Sequence, residues 1–435
     1  MGAWEQPFAI EYRVDEISGF LLVLVSIMAA LVMTYAPRSI ASEIPRRLQA
    51  WYYAVMLLCL TGLLGMAISG DAFNIFVFTE ISSLAMYAMI AMGRDRRALV
   101  AAFQYLVIGT VGATFYVIGA GLLFAQTGTL NLVDMAGELR GVIDTRGAQA
   151  ALAVIAVGLG LKLALFPLHL WLPNAYAFAP SVATAFLAST ATKVAIYVFV
   201  RFLLSVYGVD VVLNDEAALV LVLVLAVIAM IAPSIIAVFQ GNVKRLLAYS
   251  SVAQVGYMVL GIALLNESGL TGGISHLFNH ALIKGALFLA VGCIVFSTGI
   301  TKVEDMAGLG RTMPLTMAAF VVAGLGLIGV PGTAGFVSKW YLIQGAAEEG
   351  MWWLVGAIVF ASLIAVVYVG RIIEVAWFRA PEGQSFDPRD TPFEMVAVTW
   401  ALTLAVIYFG LQTDISAGVP LDAARMLLEG YVDGQ

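Results

Sequence analysis

Twelve runs of about twenty apolar residues follow one another along this chain, and they leave it few ways to fold. They fall near residues 18–36, 50–69, 72–92, 98–126, 149–170, 182–206, 217–239, 245–266, 270–298, 314–346, 352–377 and 393–411. Each is long enough to cross roughly 30 Å of hydrocarbon as a helix. In lipid the backbone must satisfy its own polar groups, which restricts spanning segments to helices and closed barrels. Runs of this length predict helices. Only 11% of the residues are charged, against about 25% in a soluble domain. The expected fold is therefore an all-α polytopic membrane protein with about twelve transmembrane helices.

Two runs are interrupted. The stretch from Leu161 to Tyr176 contains Pro167 and Pro173, and the tenth run contains Pro331 between Gly329 and Gly332. Proline removes a backbone donor and clashes with the preceding turn. At membrane depth the freed carbonyls survive only inside protein or beside a wet cavity, and broken helices commonly mark a transport path. The interrupted runs are the fifth and the tenth. An odd offset gives the two units opposite topology, as in inverted repeats. The chain then divides into an N-terminal segment with the first helix (1–49), two repeats (50–206 and 217–377), and a last helix with its tail (378–435). An interfacial helix is expected around Leu421–Tyr431.

Charge sets the orientation. Loops near 37–49, 93–97, 240–244, 299–313 and 378–392 share one face and, with adjoining helix ends, collect about thirteen of the 22 Lys and Arg residues. The other face collects about five: Arg13, Arg140, Arg146, Arg201 and Arg425. The positive-inside rule makes the first face cytoplasmic and puts both termini outside. Residues 1–17 are polar and acidic without a basic n-region, so no cleavable signal peptide is expected.

Within the apolar runs stand Lys162, Lys193, Lys284 and Lys339, four of the six lysines, while the loops carry mostly arginine. A buried lysine can lose its proton because desolvation disfavours the charged form; arginine in practice cannot. Ionisable groups at this depth are costly and usually line an ion path. The pattern points to proton movement through the membrane.

Glu80 lies midway through the third run. It is either a gate whose partner lysine titrates or half of a static ion pair. Lys162 precedes Pro167, and Lys193 follows the small polar residues Thr190 and Thr192; snorkelling to the headgroups is the rival reading for both. His276, His280 and Lys284 are spaced i, i+4, i+8, so they stack on one helix face over about 12 Å. Imidazoles donate and accept near neutrality, which suits a relay, with packing as the alternative. A metal site would need a third ligand that this run does not offer. Lys339 follows the second break, either as a terminal relay site or as a helix-end anchor. His169 is a weaker local acceptor, and Glu374 is expected to pair with Arg371.

Other classes are excluded or left empty. No clustered basic face suits nucleic acid. Cys59 and Cys293 lie far apart in apolar runs and read as buried thiols. Gly324-Leu-Gly-Leu-Ile-Gly329 matches G-x-G-x-x-G, but that pattern matters only between a strand and a helix; inside a membrane run, small residues serve packing. No cofactor and no metal is expected, and the chain shows no autonomous active site.

Several long motifs carry a resemblance. Phe73 to Glu80, Lys162 to Tyr176, Val243 to Tyr257 and His276 to Lys284 resemble the antiporter-like subunits of respiratory complex I and of Mrp-type cation/proton antiporters. The likeness covers roughly residues 10–411. The stretch from Asp305 to Tyr341 looks most like the MrpD branch, with the M and N subunits of complex I as near neighbours. The resemblance implies two inverted five-helix repeats, each with a broken helix, and a mid-membrane file of charged groups. By position, Glu80 matches the family's gating glutamate, Lys162 the lysine of the first broken helix and Lys193 the connecting lysine. His276, His280 and Lys284 fall in the central relay, and Lys339 takes the place of the terminal lysine. The first run matches the family's third helix, so the two helices before it are expected to be missing.

The implied function is a proton-translocating subunit of a multisubunit complex in the inner cell membrane, the MrpD-type component of a Na⁺(K⁺)/H⁺ antiporter. Its implied partners are the other membrane subunits of such an assembly. A proton-pumping membrane subunit of an NADH-quinone oxidoreductase or related hydrogenase-type complex is the alternative, and a non-conducting scaffold is a second.

Overall fold

The computed structural model describes residues 9–214, 216–380 and 391–429. The helices are α1 (Glu16–Glu43), α2 (Gln49–Ile68), α3 (Ala72–Ala91), α4 (Arg96–Thr127), α5 (Leu132–Leu139), α6 (Arg146–Lys162), α7 (Trp171–Phe178), α8 (Ser181–Ser189), α9 (Ala191–Val200) and α10 (Val209–Asn214). They continue with α11 (Glu216–Val238), α12 (Val243–Leu264), α13 (Glu267–Thr298), α14 (Leu309–Thr312), α15 (Pro314–Ile328), α16 (Ala334–Glu348), α17 (Trp352–Phe378), α18 (Phe393–Leu411) and α19 (Val419–Glu429). Among the described residues, ten continuous helical segments are long and apolar enough to cross a membrane. Two further crossings are made in halves, α6 with α7 and α15 with α16. All twelve apolar runs are thus present, and the chain is a multi-pass membrane protein.

The duplication is visible in the caps. Asp71 caps α3 by accepting from the Asn74 N–H, and Asn242 caps α12 by accepting from the Arg245 N–H. Helices α4 and α13 both run 32 residues and end on a left-handed glycine, Gly128 and Gly299, each at φ 74°. Isolated antiparallel bridges then join Asp71 to Asn131 and Asn242 to Lys302. Each pair of counterparts lies 171 positions apart. Each unit makes five crossings (α2, α3, α4, α6/α7, α8–α9; then α11, α12, α13, α15/α16, α17), so the second enters the membrane in the opposite sense to the first. Between them, α13 is the hub: it packs on α8, α12, α15, α16 and α18 and is buried along nearly its whole length.

The breaks differ in chemistry. Before the second break α15 ends on Gly329, and both Gly329 and Gly332 take positive φ, at 89° and 86°. Helix α16 then starts so close to α15 that a Cβ on Gly335 would lie 1.9 Å from the Gly326 carbonyl oxygen. Gly335→Ala must push the half-helices apart, and we expect a loss of about 1–3 kcal/mol, read as a lower melting temperature of the purified protein. The first break runs through residues 163–170. There Ala164 adopts φ 58°, a conformation that costs a residue with a Cβ roughly 1–2 kcal/mol.

Three expectations need correction. Pro173 breaks nothing; it sits in the first turn of α7, where its missing N–H has no helical partner to lose. Glu374 pairs with Arg379, at 3.0 Å, while Arg371 reaches Glu304 at 3.9 Å and donates to the Val238 and Gln240 carbonyls. Arg201, counted with the sparsely basic face, is buried at a π-helical turn that follows α9 and paired with Asp15. The sixth run is not one smooth helix, because Thr190 interrupts it between α8 and α9. A helix, α19, stands where the interfacial helix was expected, and residues 430 and 431 of that expectation lie outside the described residues.

Candidate functional site

Lys162 is the last residue of α6, so its amine is delivered to the point where the helix stops. The side chain is 7% exposed, and Nζ donates to Ser83 Oγ at 2.7 Å. Glu80 Oε1 lies 3.7 Å from the same nitrogen. Glu80 and Ser83 are one turn apart on α3 and so share a face. A separation of 3.7 Å is an ion pair but not a hydrogen bond, and Coulomb's law gives it roughly 4 kcal/mol at an effective dielectric near 20. The pair is therefore close but not locked, since Lys162 has Ser83 as a second partner. The Trp171 indole closes the break by donating to the Leu161 carbonyl at 2.9 Å, and Tyr105 stacks on it at 3.8 Å.

Lys193 is fully buried just past the Thr190 interruption. Its amine turns back to the Ala188 carbonyl and to Thr192 Oγ1. No hydrogen bond joins Lys162 to Lys193 among the described residues. His169 lies in the first break, stacked on Phe166 and edge-on to Tyr249 of α12; its Nδ1 has no partner there.

Helix α13 carries the column expected from the spacing. The rings of His276 and His280 stack at 6.0 Å and 11°. His276 shares hydrogen bonds with Gln254 Oε1 and Ser338 Oγ, both at 2.8 Å. Neither ring nitrogen of buried His280 has a hydrogen-bond partner among the described residues. One turn further, Lys284 donates to the Leu247 carbonyl at 2.8 Å and to Ser250 Oγ. Lys193 bonds the Ala188 carbonyl of α8 and Lys339 stands on α16, and both helices pack on α13. The four lysines and two histidines therefore form two groups: Lys162 with Glu80, and the rest around α13.

Lys339 sits behind the second break. Its amine donates to the Leu327 and Ile328 carbonyls at 3.1 and 2.8 Å and to Ser362 Oγ at 3.0 Å, and it lies 4.8 Å from the Tyr257 ring centre. Those carbonyls end α15, where the helix dipole favours a cation. The amine therefore both anchors the helix end and holds a charge site. Asn279, beside the histidines, steadies the other half by donating to the Ala334 carbonyl at 2.8 Å.

One helix supplies partners to three members of the second group, His276, Lys284 and Lys339, and the sequence reading missed it. Along α12, Leu247 and Ser250 hold Lys284, Gln254 holds His276, and Tyr257 faces Lys339. The available signal was the i, i+4 spacing of Ser250 and Gln254 inside an apolar run. Ser338 and Ser362 were missed for the same reason: a lone serine in a membrane helix usually bonds its own backbone.

The chain is similar to known proteins in sequence and in fold. The family described as NADH:quinone oxidoreductase/Mrp antiporter, transmembrane, matches residues 69–365. The chain is 42% identical to the N subunit of the NADH-quinone oxidoreductase of Desulforudis audaxviator, over 94% of this chain and 84% of that protein. It is 30% identical to the D-type component of the Na(+)/H(+) antiporter of Bacillus subtilis, over 100% of this chain and 87% of that one. Among solved structures, a chain of the Mrp complex from Dietzia sp. superposes with a TM-score of 0.89 at 25% identity, covering 98% of this chain and 86% of that chain.

Proposed function

This chain belongs to the NADH:quinone oxidoreductase/Mrp antiporter membrane family, and from that premise we propose that it moves protons along the file Glu80, Lys162, Lys193, His276, His280, Lys284 and Lys339. The observation that carries the reading is the ion pair at the first break. Glu80 holds the Lys162 charge across 3.7 Å while its own side chain stays 26% exposed on the flank of the protein. A carboxylate so placed responds to whatever packs against that flank. When a neighbouring protein pulls Glu80 away, the Lys162 ammonium keeps only a serine hydroxyl as partner and gives up its proton toward the α13 group. Closing the pair restores the charge. His280, with two ring nitrogens and no hydrogen-bond partner among the described residues, suits the middle of a relay.

The arginine-rich face is cytoplasmic on this reading, and both termini lie outside. The parent assembly is an Mrp-type cation/proton antiporter, with this chain in the MrpD place. One observation favours a second reading, a redox-driven quinone oxidoreductase: the 42% identity to an N subunit of that complex. The two share the same proton file and differ in what moves Glu80.

Lys162→Ala in the assembled complex tests the file. Proton translocation in inverted vesicles is expected to fall at least about tenfold, the weak end of what a positioned proton-transfer group contributes. Unchanged translocation with normal assembly would count against the path.

A further inference from the structure

None of the seven residues of the file lines the cavity that opens at the arginine-rich face, so the file has no first member there. A cavity of about 520 Å³ opens at that face between α1, the α7–α8 junction and the end of α13. Its lining includes Ser42, Glu43, Arg94, Asp95, Lys244 and Thr298. Lys244 was counted with the basic loops, yet it is only 4% exposed. Its amine donates to the Ala179 carbonyl at 3.2 Å and to Ser181 Oγ at 3.0 Å. Glu43 accepts from the Ser181 N–H at 3.0 Å and from Ser39 Oγ at 3.0 Å. Ser181 therefore ties the acid to the amine, and both line the same cavity.

The position of Lys244 on α12 is what matters. It is the second residue of the helix whose following turns hold Lys284, His276 and Lys339. From Lys244 to Leu247 and Ser250, the partners of Lys284, the helix rises only about 5–9 Å. The fixed cations nearby, Arg94 and Arg245, cannot exchange a proton in practice; Lys244 and Glu43 can.

We propose that Lys244, with Glu43 as its cavity-side acid, is the proton-loading site of the file on the arginine-rich face. This rests on the translocation reading above. Water in the cavity protonates Glu43 or Lys244, the Lys244 ammonium passes a proton inward toward Lys284, and the returned amine reloads. One proton moves and no other bond changes.

The test uses the parent complex in inverted membrane vesicles, with three variants assayed side by side. Lys244→Gln keeps N–H donors but cannot carry a proton, and Lys244→Arg keeps a fixed charge. Both are expected to lose translocation about tenfold or more while assembly persists. If both translocate at the wild-type rate while Lys284→Met does not, the loading assignment is overturned and the file stands. If Lys284→Met is also normal, the file itself fails. Should Lys244→Gln not assemble, Ser42→Cys gives an independent answer against the maleimide-treated parent complex without that substitution, because Cys59 and Cys293 of this chain are buried. A bulky, membrane-impermeant maleimide applied from the arginine-rich side should block translocation; full labelling with an unchanged rate overturns the proposal.

Discussion

Lys284→Met is expected to abolish proton translocation while leaving the protein at least as stable as before. Lys284 is fully buried in α13 and bonds only neutral partners, the Leu247 carbonyl and Ser250 Oγ, with Phe288 5.9 Å away. No carboxylate lies within ion-pair distance of it among the described residues. Methionine nearly matches the shape of the lysine stem, and replacing a buried charge by an apolar group of similar volume is often neutral or stabilising. The rate should fall on the order of a hundredfold or more, as expected when a positioned proton-transfer group is lost. Lys284→Arg sharpens the test. It restores a cation that does not release its proton, so it should fail as well. A scaffold role predicts the reverse: full transport in Lys284→Met and trouble only from the larger arginine. The measurements are vesicle acidification for transport and a thermal melt of the purified complex for stability.

The contrast between Lys284 and Lys162 shows what was legible in the sequence. Both stand out as charges in apolar runs, because a charge at that depth costs too much to be incidental. Their setting was not legible. Lys162 has a carboxylate and Lys284 does not, and only the packing of α3, α6, α12 and α13 decides that. Run length gave the crossings and the prolines gave both breaks, yet Pro37 and Pro233 lie inside continuous helices. The interruption at Thr190 has no proline or glycine beside it to announce it. Helix α5 was hidden in a polar connection, although Asn131 caps it and Leu132, Met135, Ala136 and Leu139 repeat at helical spacing. Lys244 was hidden in another way. It sits beside a loop in sequence, so its charge was counted toward topology, while α7 and α8 fold over it in space.

The 171-residue register adds something the site alone does not. Counted across it, His276, His280 and Lys284 of α13 correspond to Tyr105, Gly109 and Ala113 of α4. The two helices have the same length and the same glycine cap, but only one carries titratable groups of the relay kind. In the first repeat those positions serve packing: Tyr105 stacks on Trp171, and Gly109 makes room for the Tyr87 hydroxyl, which a Cβ would meet at 2.0 Å. The duplicated scaffold is therefore used unequally. The first half holds the Glu80–Lys162 pair and Lys193, and the second holds His276, His280, Lys284 and Lys339.

Breaking the Asp15–Arg201 pair should give the largest stability loss of any single change on the face opposite the arginine-rich one. Asp15 caps α1, accepting from the Ser18 N–H, and its carboxylate also meets the Arg201 guanidinium. Arg201 Nε donates to the Tyr197 hydroxyl at 3.0 Å, which in turn donates to the Ala67 carbonyl at 3.0 Å. The chain of contacts ties the start of α1 to the end of α9 and the end of α2. Both partners are largely buried, with side chains 4% and 14% exposed for Arg201 and Asp15. Removing one breaks a largely buried ion pair, which costs about 3–5 kcal/mol. Arg201→Met and Asp15→Asn should each show that loss near neutral pH, and the double variant Asp15→Asn/Arg201→Met should lose less than the two singles together. The pH dependence follows from Asp15. Burial alone would raise its carboxyl, but Arg201 and the Ser18 contacts outweigh this and hold it below its ordinary value of 3.8. A carboxyl depressed on folding stabilises at every pH above its unfolded value and loses that contribution as pH falls through the folded one. The deficit of Asp15→Asn should therefore be constant from neutrality down to about pH 4 and shrink only in stronger acid. Melting curves of the purified protein across that range measure it. A deficit that vanished already near about pH 6, well above the carboxylate range, would mean that some other group, and not this pair, fastens the first helix.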